Sequence, residues 1–226
     1  MRICARSVDK LEAVAAEARG LNSSIQTDIV KLDVSLAKPE EYSRLFSQNE
    51  RTTIVVNNAG IMKNKLLLDQ DPAKLEAMIK TNVHPYVYMS KYAILHFRAN
   101  MNHHSHKNAL LYTSSLSAFW WMPNTAVYAG TKAHNYYLGR LVSKSARKST
   151  LTSDLVDVQT LHPAGVSTDL YGNKQVGMDT VSTTDCVQGS LADLGANATS
   201  VFGALTHTAL GRLGGPLMAW SPEINK

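Results

Sequence analysis

The chain has 226 residues, of which 44% are hydrophobic and 18% charged, and a formal net charge of +5. That size predicts one domain, residues 1–226, with a substantial core. The charge suits a phosphate-bearing ligand but is too diffuse for nucleic acid, because no basic run or basic–aromatic interleaving is present. Cys4 and Cys186 lie far apart, which suits a reducing compartment. No apolar run approaches the length of a membrane span, and the opening MRICARS lacks the core of a signal peptide. The glycosylation patterns at Asn22 and Asn197 carry little weight without secretion.

In chain order, residues 2–5 read as the end of a strand. Ser7 suits an N-cap and Asp9 the first-turn dipole, and Leu11, Val14, Ala15 and Ala18 form an apolar stripe up to Gly20. Residues 29–34 read as a strand ending near Asp33, and 39–46 as a short helix with Pro39 at its start. Residues 53–56 read as a buried strand that runs into Asn57-Asn58-Ala59-Gly60. A long helix over 73–99 follows. Pro85 has no N–H for the carbonyl of Thr81, so a kink is expected there, and the freed carbonyl lies beside Asn82. Next come a strand over 109–113, a helix over 125–146, a strand over 156–161, a loop with little pattern, and a helical region from Thr184. Strands alternating with helices predict an α/β fold, a Rossmann-like doubly wound parallel sheet. There is no internal repeat and no linker.

The chemistry concentrates between Ser115 and Lys132. On a helix, Tyr128 and Lys132 stand four apart on one face, so an ammonium lies beside a phenol and should lower its pKa. Ser115 closes the apolar run NALLYTSS, at the carboxyl end of a strand, where open α/β sheets place ligands. Gly60 lets backbone approach a ligand closely, and the neighbouring asparagine amides can tie strands together. Arg6 follows the second-strand position, where dinucleotide folds choose between a ribose hydroxyl and a ribose phosphate. A guanidinium there, with no acid from Cys4 to Ser7, favours NADP(H) over NAD(H). Phe119, Trp120, Trp121, Met122 and Pro123 read either as an apolar wall for an acyl chain or steroid, or as an ordinary core patch. His103, His104 and His106 sit in a polar loop without supporting carboxylates or cysteines, so no metal site is expected. Gly211, Gly214 and Gly215 do not follow a strand into a helix and are not a nucleotide loop.

Taken together, NNAG, Asn82, Ser115, Tyr128-Ala-Gly-Thr-Lys132 and His162-Pro163-Ala164-Gly165-Val166-Ser167-Thr168 resemble the short-chain dehydrogenase/reductases, from Ile3 to about His207. Val-Ser-Thr-Asp-Leu after the proline, and the tail from Asp185 to His207, are most similar to the very-long-chain 3-oxoacyl-CoA reductases and related 17β-hydroxysteroid dehydrogenases. The resemblance implies that Tyr128 donates the proton to a carbonyl that Ser115 hydrogen-bonds. It implies that Lys132 binds the nicotinamide ribose and tunes Tyr128, with Asn82 supporting a proton relay. Asp33 and Val34 would meet the adenine, Asn58, Ala59 and Gly60 the adenosine side, and Pro163, Val166 and Thr168 the nicotinamide amide. An acyl-CoA or steroid substrate, an endoplasmic-reticulum location with a cytoplasmic alternative, and a homodimer are all compatible with it.

One departure stands out. Such enzymes begin with a strand and a glycine-rich turn that hold the pyrophosphate, and this chain opens on what should be their second strand. The membrane segment typical of the branch is not in the chain either. The expectation is a fold truncated at its N-terminus, with a gap in its sheet: an incomplete sequence, or a remnant that binds cofactor poorly and acts through protein association.

Overall fold

The computed structural model describes residues 1–47, 51–100, 107–120, 122–148, 156–177, 179–196 and 198–214. His103, His104, His106, Trp121, Asn197 and Gly215 lie outside the described residues. Strand β1 (Arg2–Ala5) leads through helix α1 (Val8–Leu21) to β2 (Asp28–Lys31), and α2 (Pro39–Ser47) leads on to β3 (Ile54–Asn57). Helices α3 (Pro72–Asn82) and α4 (His84–Ala99) precede β4 (Asn108–Thr113), and α5 (Ala126–Lys148) precedes β5 (Val156–Leu161). Short strands β6 (Gly165–Val166) and β7 (Thr180–Val181), helix α6 (Thr183–Ala192) and strand β8 (Ser200–Val201) follow.

All strand pairs are parallel, joined by helical crossovers, which gives the doubly wound architecture. The order β3-β4-β5-β8 forms one sheet, β1 and β2 form a second, and β6 and β7 a third. The main core lies between the four-stranded sheet and α4, where Val55, Leu110 and Val158 pack with Phe97, Tyr86 and Phe46. Helix α5 lies close on the sheet: a Cβ at Gly139 would fall 2.3 Å from Thr160 Oγ1, so only glycine fits at that crossing.

The expected gap is visible as a break in hydrogen bonding. Strand β3 pairs only with β4, and β1 pairs only with β2. Residues 53–56 are therefore not a fully buried strand: Val55 is buried against the core, but Ile54 and Val56 are 55% and 56% exposed. Successive residues of a strand face opposite sides, and among the described residues the side away from α4 is left more than half exposed.

Other boundaries moved for local reasons. The long helix expected over 73–99 is two helices, divided at Val83, which caps the end of α3 and the start of α4. Pro85 falls in the first turn of α4, where a missing N–H has no helical partner to lose, so the helix restarts rather than bends. Strand β2 ends at Lys31 instead of running through Asp33, because Asp33 turns the chain by accepting bonds from Ser35 N and Oγ (2.9 and 2.6 Å). Among the described residues no helix is long and apolar enough to cross a membrane, and both cysteines are free.

Candidate active site

Helix α5 starts just after Pro123 and a buried Thr125, whose hydroxyl donates to Met122 O. Its buried face carries Tyr128, Thr131, Lys132 and Asn135 at helical spacing. Lys132 is 3% exposed and donates from Nζ to Thr113 O at the end of β4 (2.8 Å). Ser114 Oγ donates to the Lys132 backbone carbonyl (2.7 Å), pinning the helix to the same strand end. Burial out of water pulls the Lys132 ammonium down to about 8.

Ser115 sits at the cap of a one-turn 3₁₀ segment, where its hydroxyl accepts from Ser117 N (3.2 Å) and donates to Pro163 O (3.4 Å). Burial pushes the Tyr128 phenol upward, and a hydrogen bond with Ser115 pulls against it. The expectation that Lys132 would depress this phenol is not met, since its ammonium sits 5.6 Å from the Tyr128 ring centroid and bonds to Thr113 O. The hydroxyl therefore stays protonated at neutral pH, as a proton donor requires.

Asn82, the last residue of α3, is fully buried and clamps the loop after β3. Its Oδ1 accepts from Ile61 N (2.8 Å), while Nδ2 donates to Ile61 O (2.9 Å) and Thr131 Oγ1 (3.0 Å). Thr131 in turn donates to Tyr128 O (2.7 Å). Gly60 closes the arrangement: a Cβ there would meet Lys132 Nζ at 3.4 Å and Asn82 Oδ1 at 3.5 Å. A Cβ at this position would lie in ordinary van der Waals contact with both.

The other predicted positions also follow carboxyl ends of strands. Arg6 follows β1, and its charge helps hold the Asp33 carboxyl below its usual range, behind the larger contribution of the Ser35 hydroxyl. Val34 accepts from the Tyr42 hydroxyl (2.9 Å). Asn58 and Ala59 are exposed at the end of β3. Pro163, Val166 and Thr168 line the turn after β5, with Thr168 Oγ1 donating to Val166 O (3.2 Å). Among the described residues the buried Asn57 Nδ2 has no partner and β3 pairs only with β4, so Asn57 Nδ2 makes no tie to a strand on the outer side.

Three described residues of the apolar loop line a space apart from this site. Trp120, Met122 and Pro123 line a cavity of about 370 Å³ with Ala126, Ala129, Gly130 and Ala133, and none of Ser115, Tyr128 and Lys132 lines it. These alanines and the glycine lie on the other side of α5 from Tyr128. Phe119 instead packs against Tyr136 and His162, with ring centroids 4.8 and 4.9 Å away. Sequence reasoning passed over Tyr86, Thr131 and Ser114. Tyr86 falls four residues after Asn82, and Thr131 three after Tyr128, but spacing alone did not mark either as touching the site.

The family model described as short chain dehydrogenase matches residues 1–178. The chain belongs to the short-chain dehydrogenase family. It is 25% identical over 225 residues to 17-beta-hydroxysteroid dehydrogenase type 3 of Danio rerio, covering 96% of this chain and 69% of that protein. Among solved structures, a short-chain dehydrogenase from Sphingobium yanoikuyae in complex with NADPH superposes with a TM-score of 0.76 at 19% identity, over 98% of this chain and 86% of that one. A short-chain dehydrogenase from Burkholderia cenocepacia in complex with NADP gives 0.74 at 18% identity, over 96% and 94%. As a family member the chain carries the oxidoreductase fold, and its site lies where open α/β sheets bind ligands.

Proposed function

We propose that this protein is an NADPH-dependent carbonyl reductase acting on a ketone carried by a long apolar molecule. The observation that carries the reading is the convergence of Tyr128, Ser115 and Lys132 at the end of β4, braced by Asn82 through Ile61 and Thr131. Ser115 directs a hydrogen bond at the substrate oxygen, and Tyr128 gives it a proton. The Lys132 ammonium keeps a positive charge 5.6 Å from the Tyr128 ring centroid. Asn82 supports the proton relay by holding its helix end and the Ile61 backbone in place.

The chain's residues fit the cofactor chemically, since a cation at Arg6, a close-approach glycine at Gly60 and a buried ammonium at Lys132 suit phosphate and ribose groups. In this reading Arg6 holds the ribose phosphate, Asp33 and Val34 the adenine, and Asn58, Ala59 and Gly60 the adenosine side. Pro163, Val166 and Thr168 hold the nicotinamide amide, and Lys132 its ribose. When bound, NADPH supplies the hydride. The NADPH and NADP carried by the two solved relatives support this choice.

For the substrate, motif resemblance favours a very-long-chain 3-oxoacyl-CoA, which would place the protein in fatty acid elongation at the endoplasmic reticulum. The zebrafish relative's name favours a steroid ketone. Following NADPH oxidation with a 3-oxoacyl-CoA and with a 17-ketosteroid separates the two, and the 3-oxoacyl-CoA is expected to turn over faster. The reverse order would replace the first reading by the second.

A different reading, a remnant that no longer holds cofactor, draws on the break between β1 and β3 and the bare Ile54 and Val56. NADPH fluorescence titration of this chain, beside a form extended ahead of Met1 by a strand and a glycine-rich turn, tests it. We expect tight binding only in the extended form. Comparable affinity in both would show that the broken sheet holds cofactor unaided.

A further inference from the structure

We propose that Tyr86 is a positioning residue for Lys132, holding its ammonium beside Tyr128 through its ring face and through a carbonyl the two side chains share. Tyr86 lies on α4 and is fully buried. Its hydroxyl donates to Thr113 O at 2.9 Å, and Lys132 Nζ donates to that same oxygen at 2.8 Å. The ammonium also lies 5.8 Å from the Tyr86 ring centroid and 5.6 Å from that of Tyr128. It is thus placed against two aromatic faces and one carbonyl.

The groups around Lys132 make this arrangement consequential. Helix α4 contributes Tyr86, α5 contributes Tyr128, β4 the Thr113 carbonyl, and the loop after β3 contributes Gly60 beside the Asn82 amide of α3. The only titratable groups among these are the two tyrosines, and none is a carboxylate. A cation taken out of water without a counter-ion tends to lose its proton. An aromatic face opposes that loss, because its quadrupole attracts positive charge.

Tyr86 is itself held firmly. Its ring stacks with Tyr112 (6.1 Å, 28°), Ser90 donates to its backbone carbonyl, and Ser90 Oγ and Tyr112 OH share a 2.6 Å hydrogen bond. This polar chain ends at the Tyr86 backbone carbonyl, while the Tyr86 hydroxyl separately reaches Thr113 O, so the packing of α4 on β4 sets where the ammonium sits. The catalytic meaning rests on the reading of Lys132 and Tyr128 given above, but the placement of the charge does not.

The test changes the ring's electrostatics without changing its volume. Position 86 of the full chain is replaced by phenylalanine, 3,5-difluorophenylalanine and 3,4,5-trifluorophenylalanine, and the Lys132 side chain is titrated by NMR. The Lys132 midpoint should fall stepwise along the series, by about half to one pH unit in total, while the melting temperature stays level. A midpoint constant to within about 0.1 unit would overturn the proposal. Should Tyr86→Phe fail to fold, 3-fluorotyrosine and 3,5-difluorotyrosine at position 86 keep the hydroxyl and give the same comparison. If the midpoint moves but no ketone is ever reduced, the functional reading fails while this inference stands. If activity is found, the alkaline limb of its pH profile moves with the midpoint.

Discussion

The first third of the chain and the remainder build their parallel strands differently. In β4 every residue except Thr113 is buried, and the strand is paired along both edges, with β3 and β5. In β1 and β2 no residue is fully buried, and the two strands pair only with each other. What ties that unit to the rest is mainly α2 on α4, where Tyr42 stacks on Tyr88 at 5.5 Å and Phe46 joins the core. Arg2 adds a bond from Nη1 to Leu45 O. The difference teaches that the two halves of the proposed reaction stand on unequal supports. Tyr128, Ser115 and Lys132 hang from a four-stranded sheet, whereas Arg6 and Asp33 hang from a two-stranded one.

The sharpest way to test that division is at the chemistry itself. Tyr128→Phe, made in the form extended ahead of Met1, removes one hydroxyl from the well-supported half, and reductase turnover should fall at least ~100-fold with no change in melting temperature. Turnover within about tenfold of the parent, only ~1.4 kcal/mol of barrier, would rule Tyr128 out as the acid.

A second contrast lies within β3, between its covered and bare sides. Val55→Ala opens space in the core and should lower unfolding free energy by about 2 kcal/mol in urea. Val56→Ala on the exposed side should change it by less than about 0.5 kcal/mol. Equal losses would mean that the outer face of β3 is covered in solution.

Acid should find a weak point on the four-stranded sheet. His162, next to Pro163, is fully buried among Phe119, Tyr136 and Phe202, with neither ring nitrogen bonded, and burial pulls it down to about 3. The unfolded chain takes up that proton near the usual histidine pKa, about 6.5, and the folded one does not until far lower. Stability therefore falls as pH drops through the window from about 6.5 towards 3, by about 2 kcal/mol at pH 5. Urea midpoints of the parent and of His162→Gln, taken from pH 7 to 5, check this. The variant should lose most of the slope, leaving a smaller share from His207, which burial also pulls down.

The smallest effect is expected on the weakly supported half. Arg6→Asp should weaken NADPH by about tenfold more than NADH, because it sets a like charge against the ribose phosphate. Equal losses for both cofactors would remove Arg6 from the phosphate site.

The sequence by itself determined the alternation of strands and helices and the spacing that joins Ser115, Tyr128 and Lys132, and it marked a kink near Pro85 where the chain instead starts a new helix. Those features are local: a helix repeats every 3.6 residues and proline has no N–H, whatever surrounds them. Tertiary structure alone decided the rest. Residues 53–56 read as buried because they are apolar, yet burial needs a covering element on each face, and Ile54 and Val56 stay more than half exposed beside their partners on β4. The sequence around Trp120 read equally as a substrate wall or a core patch, and the direction of α5 puts Trp120, Met122 and Pro123 on the side away from Tyr128. Tyr86 carried no signal in its own segment, since its meaning comes from Thr113 and Lys132, brought to it by the packing of α4 and α5 on β4. Periodicity reports which face of an element is apolar, and only the assembled fold reports what that face meets.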